Sequence, residues 1–257
     1  MPFQRRYKVI SNRAVRPDIH LLQVEAPELG EASRPGQFAM LSCAEGSDRL
    51  LRRPISLHAV RPESVDFLFS LVGEGTRWLS RRLPGETLDI LGPMGNGFKI
   101  VPDSSRILLV AGGLGIAPLA FLARSADIPG RSIRLLVGAR TASALYVPED
   151  LPSSVHTVSV TEDGSAGAKG MVTALLPEQA AWADRIFVCG PLSMYQAIAQ
   201  APDRYFQGKP VQVSLELRMG CGLGFCYACT LETSEGLKQV CRDGPVFEFN
   251  QIVWKSL

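Results

Sequence analysis

The chain has 257 residues, 46% of them apolar and 20% charged, with a formal net charge of +2. Such a length suits two compact domains and a small appendage, and the composition is that of an ordinary globular protein. A charge so close to zero argues against a nucleic-acid partner and against an anionic membrane surface.

The first thirteen residues are polar and basic with no apolar core, so they do not read as a secretory signal. Residues 1–101 read as β. The segments Arg6 to Val15, Asp18 to Ala26, Gln37 to Cys43, Leu51 to Val60 and Val65 to Gly73 are separated by proline, glycine and acidic turns. Turns at that frequency predict an antiparallel barrel or sandwich. One helix is expected from Thr76 to Leu83, with Trp78 and Leu79 beside Leu83 at helical spacing and Pro84-Gly85 as its stop. Glu86 to Phe98 reads as a closing strand that runs into a glycine loop.

Residues 102–215 follow another grammar. Continuous apolar strands near 106–113, 133–140, 155–164, 184–191 and 211–216 alternate with helical stretches near 116–126, 170–180 and 194–201. That alternation predicts an open, mainly parallel α/β sheet with crossover helices. The longest uncharged run, Ile107 to Ala123, falls short of the ~20 residues of a membrane span, and a glycine turn interrupts it. A cytoplasmic protein is expected. The remaining segment, 216–257, follows without a linker, so the fold class is multi-domain α+β: barrel, α/β unit and small C-terminal unit.

Four of the six cysteines lie in that last segment, spaced C-x4-C-x2-C-x11-C at Cys221, Cys226, Cys229 and Cys241. Three thiols on one glycine-rich loop, joined by a fourth from further on, is the plant-type arrangement for a [2Fe–2S] cluster. Gly220, Gly222 and Gly224 let such a loop close around a cluster with N–H groups aimed at sulfur. Two other readings stay open. A structural zinc site usually draws on two short pairs, and only Cys226 and Cys229 make one. A disulfide framework needs an oxidising compartment.

In the α/β unit, Gly112, Gly113 and Gly115 lie between the first strand and its helix. Ligands of open α/β sheets bind outside the carboxyl ends of the strands, where a helix N-terminus favours phosphate. The run GGLGIAP is not G-x-G-x-x-G, and a tight turn without a ligand explains it equally well. A second turn at Cys189-Gly190-Pro191 falls on the same sheet edge, and the two together favour a nucleotide site. Arg140 can meet a 2′-phosphate and Glu162 or Asp163 a ribose, so NAD and NADP both stay open. In the barrel, Arg53 beside Pro54, Ile55 and Ser56 suits either a rim or a bidentate pyrophosphate clamp.

Arg53-Pro54-Ile55-Ser56, Gly75-Thr76, Gly92 to Gly97, Gly112 to Pro118 and Cys189-Gly190-Pro191 occur in the order seen in ferredoxin-reductase-like flavoproteins. With the tail MGCGLGFCYAC and VCRDGPVF, the whole chain resembles the electron-transfer subunits of class 1B dihydroorotate dehydrogenases. The resemblance implies an FAD barrel (1–101), an NAD unit (102–215) and a [2Fe–2S] unit (216–257). It implies that Arg53 binds the FAD pyrophosphate and that Ser56 approaches the flavin N5 region. Ser70, Leu71 and Val72 would run along the flavin and ribityl chain, Gly75 and Thr76 would hold phosphate, and the loop from Gly112 would take NAD. The four clustered cysteines would hold iron. Many wider relatives carry tyrosine where this chain has Ile55, and the x11 interval before Cys241 is short for the family.

The resemblance further implies a partner, the FMN-containing catalytic subunit, in a heterotetramer of two copies of each. Electrons from dihydroorotate would cross the cluster to FAD and leave as a hydride to NAD⁺. The loop Gly220 to Tyr227 and the turn Asp243 to Phe247 are expected to form the surface over the cluster. No acid–base constellation is read, and His20, His58 and His156 are scattered. Two alternatives are kept: a diaphorase subunit of a hydrogenase, sulfite reductase or ferredoxin-linked complex, and a zinc-stabilised interaction module without enzymatic activity.

Overall fold

Side-chain alternation along the first six strands puts one apolar face inward and closes them on themselves. The computed structural model describes residues 2–44 and 51–257. β1 (Phe3–Arg16), β2 (Ile19–Glu25), β3 (Phe38–Leu41), β4 (Arg53–Arg61), β5 (Ser64–Ser70) and β6 (Thr87–Met94) form a closed antiparallel barrel in the order β1-β2-β5-β4-β3-β6. Val9, Leu22, Leu41, Leu57, Phe67 and Ile90 are among the residues filling it. Closure leaves no unpaired strand edge.

Among the described residues, two short helices interrupt the barrel, α1 (Pro27–Ala32) and α2 (Glu74–Ser80). The expectation of a helix from Thr76 to Leu83 is corrected at both ends. At the start, the Thr76 hydroxyl accepts the N–H groups of Val72 and Gly73 and fixes the entry at Glu74. At the far end, the N–H groups of Arg81 and Arg82 close onto Trp78 and Leu79 carbonyls, and Leu83 lies beyond the helix, 64% exposed. Pro84 accounts for this, because it disfavours helical backbone at the residue before it. α1, which begins on a proline suited to a first helical turn, had no sequence expectation.

The second half contains β7 (Arg106–Gly112), α3 (Ile116–Ala126), β8 (Ser132–Ala139), β9 (Val155–Thr161), β10 (Ala168–Lys169), α4 (Val172–Trp182), β11 (Arg185–Cys189), α5 (Leu192–Ala199), α6 (Pro202–Phe206) and β12 (Val211–Ser214). These strands are parallel in the order β10-β9-β8-β7-β11-β12, and the four from β8 to β12 in that order are largely buried, as strands covered on both faces are. The chain moves outward from β7 in one direction and returns to β11 on the other side. The carboxyl ends of β7 and β11 therefore form the topological switch point, the place where such sheets bind ligands.

The C-terminal segment adds β13 (Thr230–Thr233), β14 (Gly236–Gln239), α7 (Val240–Asp243) and β15 (Val246–Glu248). β13 and β14 form their own hairpin, whereas β15 becomes the seventh strand of the large sheet, antiparallel to β12 with Phe247 opposite Val213. The cysteine loop is thus anchored at both ends to the α/β unit.

Barrel and α/β unit meet along α3 and β4. Arg124 donates to the His58 carbonyl at 3.0 Å and pairs with Asp150, which also pairs with Arg61 at 2.7 Å. The buried His58 ring donates from Nδ1 to the Ala117 carbonyl at 3.2 Å. Burial, with Arg124 nearby, pushes its pKa down to about 4, so the ring is neutral at physiological pH. Among the described residues no helix is long and apolar enough to cross a membrane.

Candidate functional site

A cavity of about 370 Å³ opens where the barrel, the α/β unit and the C-terminal segment meet. That size lies in the range of small-molecule sites. From the barrel it receives Pro54, Ile55 and Ser56 on β4, then Ser70, Val72 and Thr76. Arg53 and Gly75 lie beside it: a Cβ built on Gly75 would stand 3.1 Å from Arg53 Nε, so the guanidinium lies across the start of α2. Arg52 turns away to Asp89 at 2.6 Å, as neighbours on a strand do.

Two of the expected contacts differ in kind. Leu71 is not on the cavity wall; its N–H bonds the Asp18 carbonyl and its side chain packs on the barrel core. The Thr76 hydroxyl is committed to Val72 and Gly73, so only the backbone there remains for a phosphate.

Sequence reasoning missed the opposite walls. Phe38 and Phe69 supply the aromatic rings of the lining, the kind of contact that Ile55 does not give. Leu114 and Ala117 reach in from the first βα turn, and Ser214 to Met219 form a further side. Among the described residues, Glu216 and Arg218 are the charged members of that lining. The signal for the last group was available, since 214–219 joins the final parallel strand to the cysteine loop.

At the switch point the two glycine turns lock together. A Cβ on Gly115 would lie 1.9 Å from the Cys189 carbonyl oxygen, and one on Gly112 would lie 2.9 Å from Pro191. Close approach therefore explains both glycines. Gly113, with φ of +54°, faces open space. Behind the turns, the buried Tyr195 hydroxyl accepts the Gly190 N–H at 3.2 Å and donates to the Ser214 carbonyl at 2.7 Å. At the outer strands, the Asp163 N–H bonds the Arg140 carbonyl at 3.3 Å. Hydrogen bonds from Ser165 hold the Asp163 carboxyl below the ordinary carboxylate range.

The four cysteines come together as two pairs. The Cys221 N–H points at Cys226 Sγ at 3.4 Å, and the Leu223 N–H at Cys221 Sγ at 3.3 Å. The Cys241 N–H points at Cys229 Sγ at 3.4 Å. Cys229 and Cys241 are buried, Cys221 half-buried and Cys226 exposed. Although desolvation opposes it, N–H groups around Cys221 bring its thiol down to about 6. Desolvation and the neighbouring Cys229 push Cys241 up to about 12. A bound cation reverses such an upward shift and releases the proton.

Among the described residues no three His, Cys, Asp or Glu side chains converge on a point for a single ion. A binuclear cluster instead takes two thiolates at each iron, and two pairs flanked by N–H donors to sulfur fit it.

The surface over the cysteines is smaller than expected. Leu223, Phe225 and Tyr227 are exposed, Phe225 at 78%. The turn Asp243 to Phe247 does not join them. Gly244, Pro245 and Phe247 are buried, and the Asn96 side chain bonds the Asp243 carbonyl at 3.0 Å. The barrel loop at Gly95-Asn96 covers the turn because its backbone sits within contact of Gly244.

A six-stranded barrel, a parallel sheet with its switch point against a shared cavity, and a C-terminal four-thiol loop define a ferredoxin-reductase-like oxidoreductase with an iron–sulfur extension. A solved NADH-dependent reduced ferredoxin-NADP oxidoreductase superposes with a TM-score of 0.86 over 98% of this chain and 91% of that one, at 28% identity. A ferredoxin NADP⁺ reductase from Neisseria gonorrhoeae shares the fold at TM-score 0.65 over 79% of this chain and 91% of that one, at 21% identity. Residues 216–253 match the iron-sulfur cluster binding domain of dihydroorotate dehydrogenase B, and 109–200 match the oxidoreductase NAD-binding domain.

The chain is 35% identical to the electron transfer subunit of dihydroorotate dehydrogenase B (NAD(+)) of Geobacillus thermodenitrificans, over 97% of this chain and 98% of that one. It is 37% identical to that of Desulforamulus reducens, over 96% and 97%. The chain belongs to the family of dihydroorotate dehydrogenase B (NAD(+)) electron transfer subunits.

Proposed function

We propose that this chain passes electrons from the FMN of a dihydroorotate dehydrogenase catalytic subunit, through a [2Fe–2S] cluster and FAD, to NAD⁺ in pyrimidine biosynthesis. One observation carries the reading beyond family membership. A single segment, Ser214 to Met219, lines the cavity and reaches Cys221 two residues later. Flavin and iron–sulfur sites are therefore consecutive on one piece of chain.

When bound, FAD supplies hydride exchange with a nicotinamide and the cluster supplies single-electron transfer; that chemistry belongs to the cofactors. The protein binds and orients. Arg53 would clamp the pyrophosphate beside the N–H groups of Gly75 and Thr76. Pro54, Ile55 and Ser56 would form one wall for the ring system, with the Ser56 hydroxyl available to hydrogen-bond it, and Ser70 and Val72 would continue that wall. Gly113, between the locked Gly112 and Gly115, offers the open backbone for the dinucleotide. Cys221 with Cys226 would hold one iron and Cys229 with Cys241 the other, the second pair shielded from water by its burial. No side chain is needed as an acid or base.

The exposed Leu223, Phe225 and Tyr227 form the face for the catalytic subunit, in a cytoplasmic heterotetramer of two copies of each chain. The fit to the NADH-dependent reduced ferredoxin-NADP oxidoreductase favours a second reading, a diaphorase subunit of a ferredoxin-linked complex, at 28% identity against 37% for the first. Co-purification with the FMN subunit, cofactor analysis and an assay of dihydroorotate-dependent NAD⁺ reduction separate the two. The first reading requires turnover by the pair; NAD(H)-linked reduction of ferredoxin without it supports the second.

A further inference from the structure

β3 turns alternate side chains to opposite sides. Ala39 and Leu41 enter the barrel core, whereas Phe38 and Met40 face outward, into the same apolar cluster as Met94, Cys229 and Cys241. Phe38 lines the cavity. Met40, two residues on and fully buried, lies against the cysteine loop: a Cβ on Gly222 would stand 2.7 Å from Met40 Cγ and 3.1 Å from its Sδ. Across the ladder, Phe38 pairs with Ser56 and Met40 with Pro54, and both partners line the cavity. Met40 thus has a cavity-wall residue on one side and the neighbour of Cys221 on the other.

We propose that Met40 is a positioning residue for electron transfer between the flavin cavity and the cluster, an inference that rests on the conduit reading above. Tunnelling falls exponentially with separation and crosses packed atoms better than a gap. An unbranched, polarizable thioether fills an irregular space well. β3 is tied to both β4 and β6, so the side chain is held from two directions. Close-packed interiors resist the small displacements that would loosen the contact.

The electron count is simple. A hydride from NADH brings two electrons and one proton to the flavin ring and leaves NAD⁺. The cluster holds one electron at a time. It takes the first from the flavin, and the second only after a one-electron acceptor, the catalytic subunit or an added dye, has reoxidised it. The proton leaves to solvent as the ring then returns to its oxidised form.

The full chain loaded with FAD and cluster is mixed with NADH in a stopped-flow instrument. Flavin bleaching and cluster reduction are followed separately, and both midpoint potentials are measured by redox titration. Met40→Leu, which conserves volume, keeps the wild-type rate of cluster reduction. Met40→Val and Met40→Ala slow that step in this order, several-fold for Met40→Ala, while flavin bleaching and both potentials stay unchanged. If Met40→Ala sheds its cluster, Met40→Val carries the same comparison. Equal cluster-reduction rates across the loaded variants overturn the proposal, as does a slowing that tracks a changed potential. A wild-type chain whose flavin bleaches while its cluster never takes an electron overturns the conduit reading itself.

Discussion

Gly115 and Cys189 touch so closely that a Cβ on the first would stand 1.9 Å from the carbonyl oxygen of the second. This contact joins the β7 and β11 turns into one surface at the sheet's switch point. Gly115→Ala must drive them apart at a cost of about 1–3 kcal/mol for overpacking. The variant is expected to melt earlier and to bind NADH more weakly while still purifying yellow. Gly113→Ala, where the space is open but φ is +54°, carries only the roughly 1–2 kcal/mol of left-handed strain. Calorimetry and NADH titration of both variants check the ranking; equal losses would remove the interlock from the account.

The flavin clamp is tested by neighbouring arginines. Losing a charge-assisted contact to phosphate costs about 1.5–3 kcal/mol, or roughly 10- to 150-fold in affinity. Arg53→Ala is expected to purify depleted in FAD. Arg52→Ala breaks only the part-buried pair with Asp89 and should keep its flavin. Flavin-to-protein ratios after gel filtration decide, and equal retention takes Arg53 out of the site.

The thiol pairs make a prediction about metal. Cys226→Ser is expected to lose iron and sulfide while FAD stays bound, because Cys226 is exposed on its loop and is not part of the cavity lining. NADH-driven reduction of a dye that accepts electrons directly from flavin should persist. A full complement of iron in the variant would show that Cys226 is not a ligand.

His58 sets a pH dependence. Its folded pKa is depressed to about 4 from 6.5, so the unfolded chain binds the extra proton and the contribution is complete above about pH 6.5. It is lost as pH falls from there toward 4, by about 3 kcal/mol in full. Melting temperatures of the wild type should drop over that window more than those of His58→Gln, whose amide can still donate to the Ala117 carbonyl. Parallel curves for the two proteins would contradict the assignment.

Much of the architecture was legible because local signals and tertiary environment agree. The apolar run at 106–112 is a buried parallel strand, and the four-thiol spacing brings Cys221 to Cys226 and Cys229 to Cys241. Contacts made only through long-range packing were hidden. Leu71 faces the barrel core because Asp18 takes its N–H, and nothing in Ser70-Leu71-Val72 announces that. Pattern in a single strand likewise could not tell that Phe38 and Met40 face outward, since their partners arrive from residues 54–56 and 222. The Asp243 to Phe247 turn reads as a surface loop until Asn96 and Gly95 are seen to cover it.

The central claim is that this chain conducts electrons for a separate catalytic subunit, and the exposed Phe225 offers the sharpest handle on it. The measurement is NAD⁺ reduction by dihydroorotate, recorded for the chain alone, for the chain with the FMN subunit, and for Phe225→Glu with that subunit. The account predicts no turnover alone, turnover on mixing, and a weakened complex with Phe225→Glu that still reduces dyes from NADH at the wild-type rate. Dihydroorotate turnover by the chain free of any partner would contradict it.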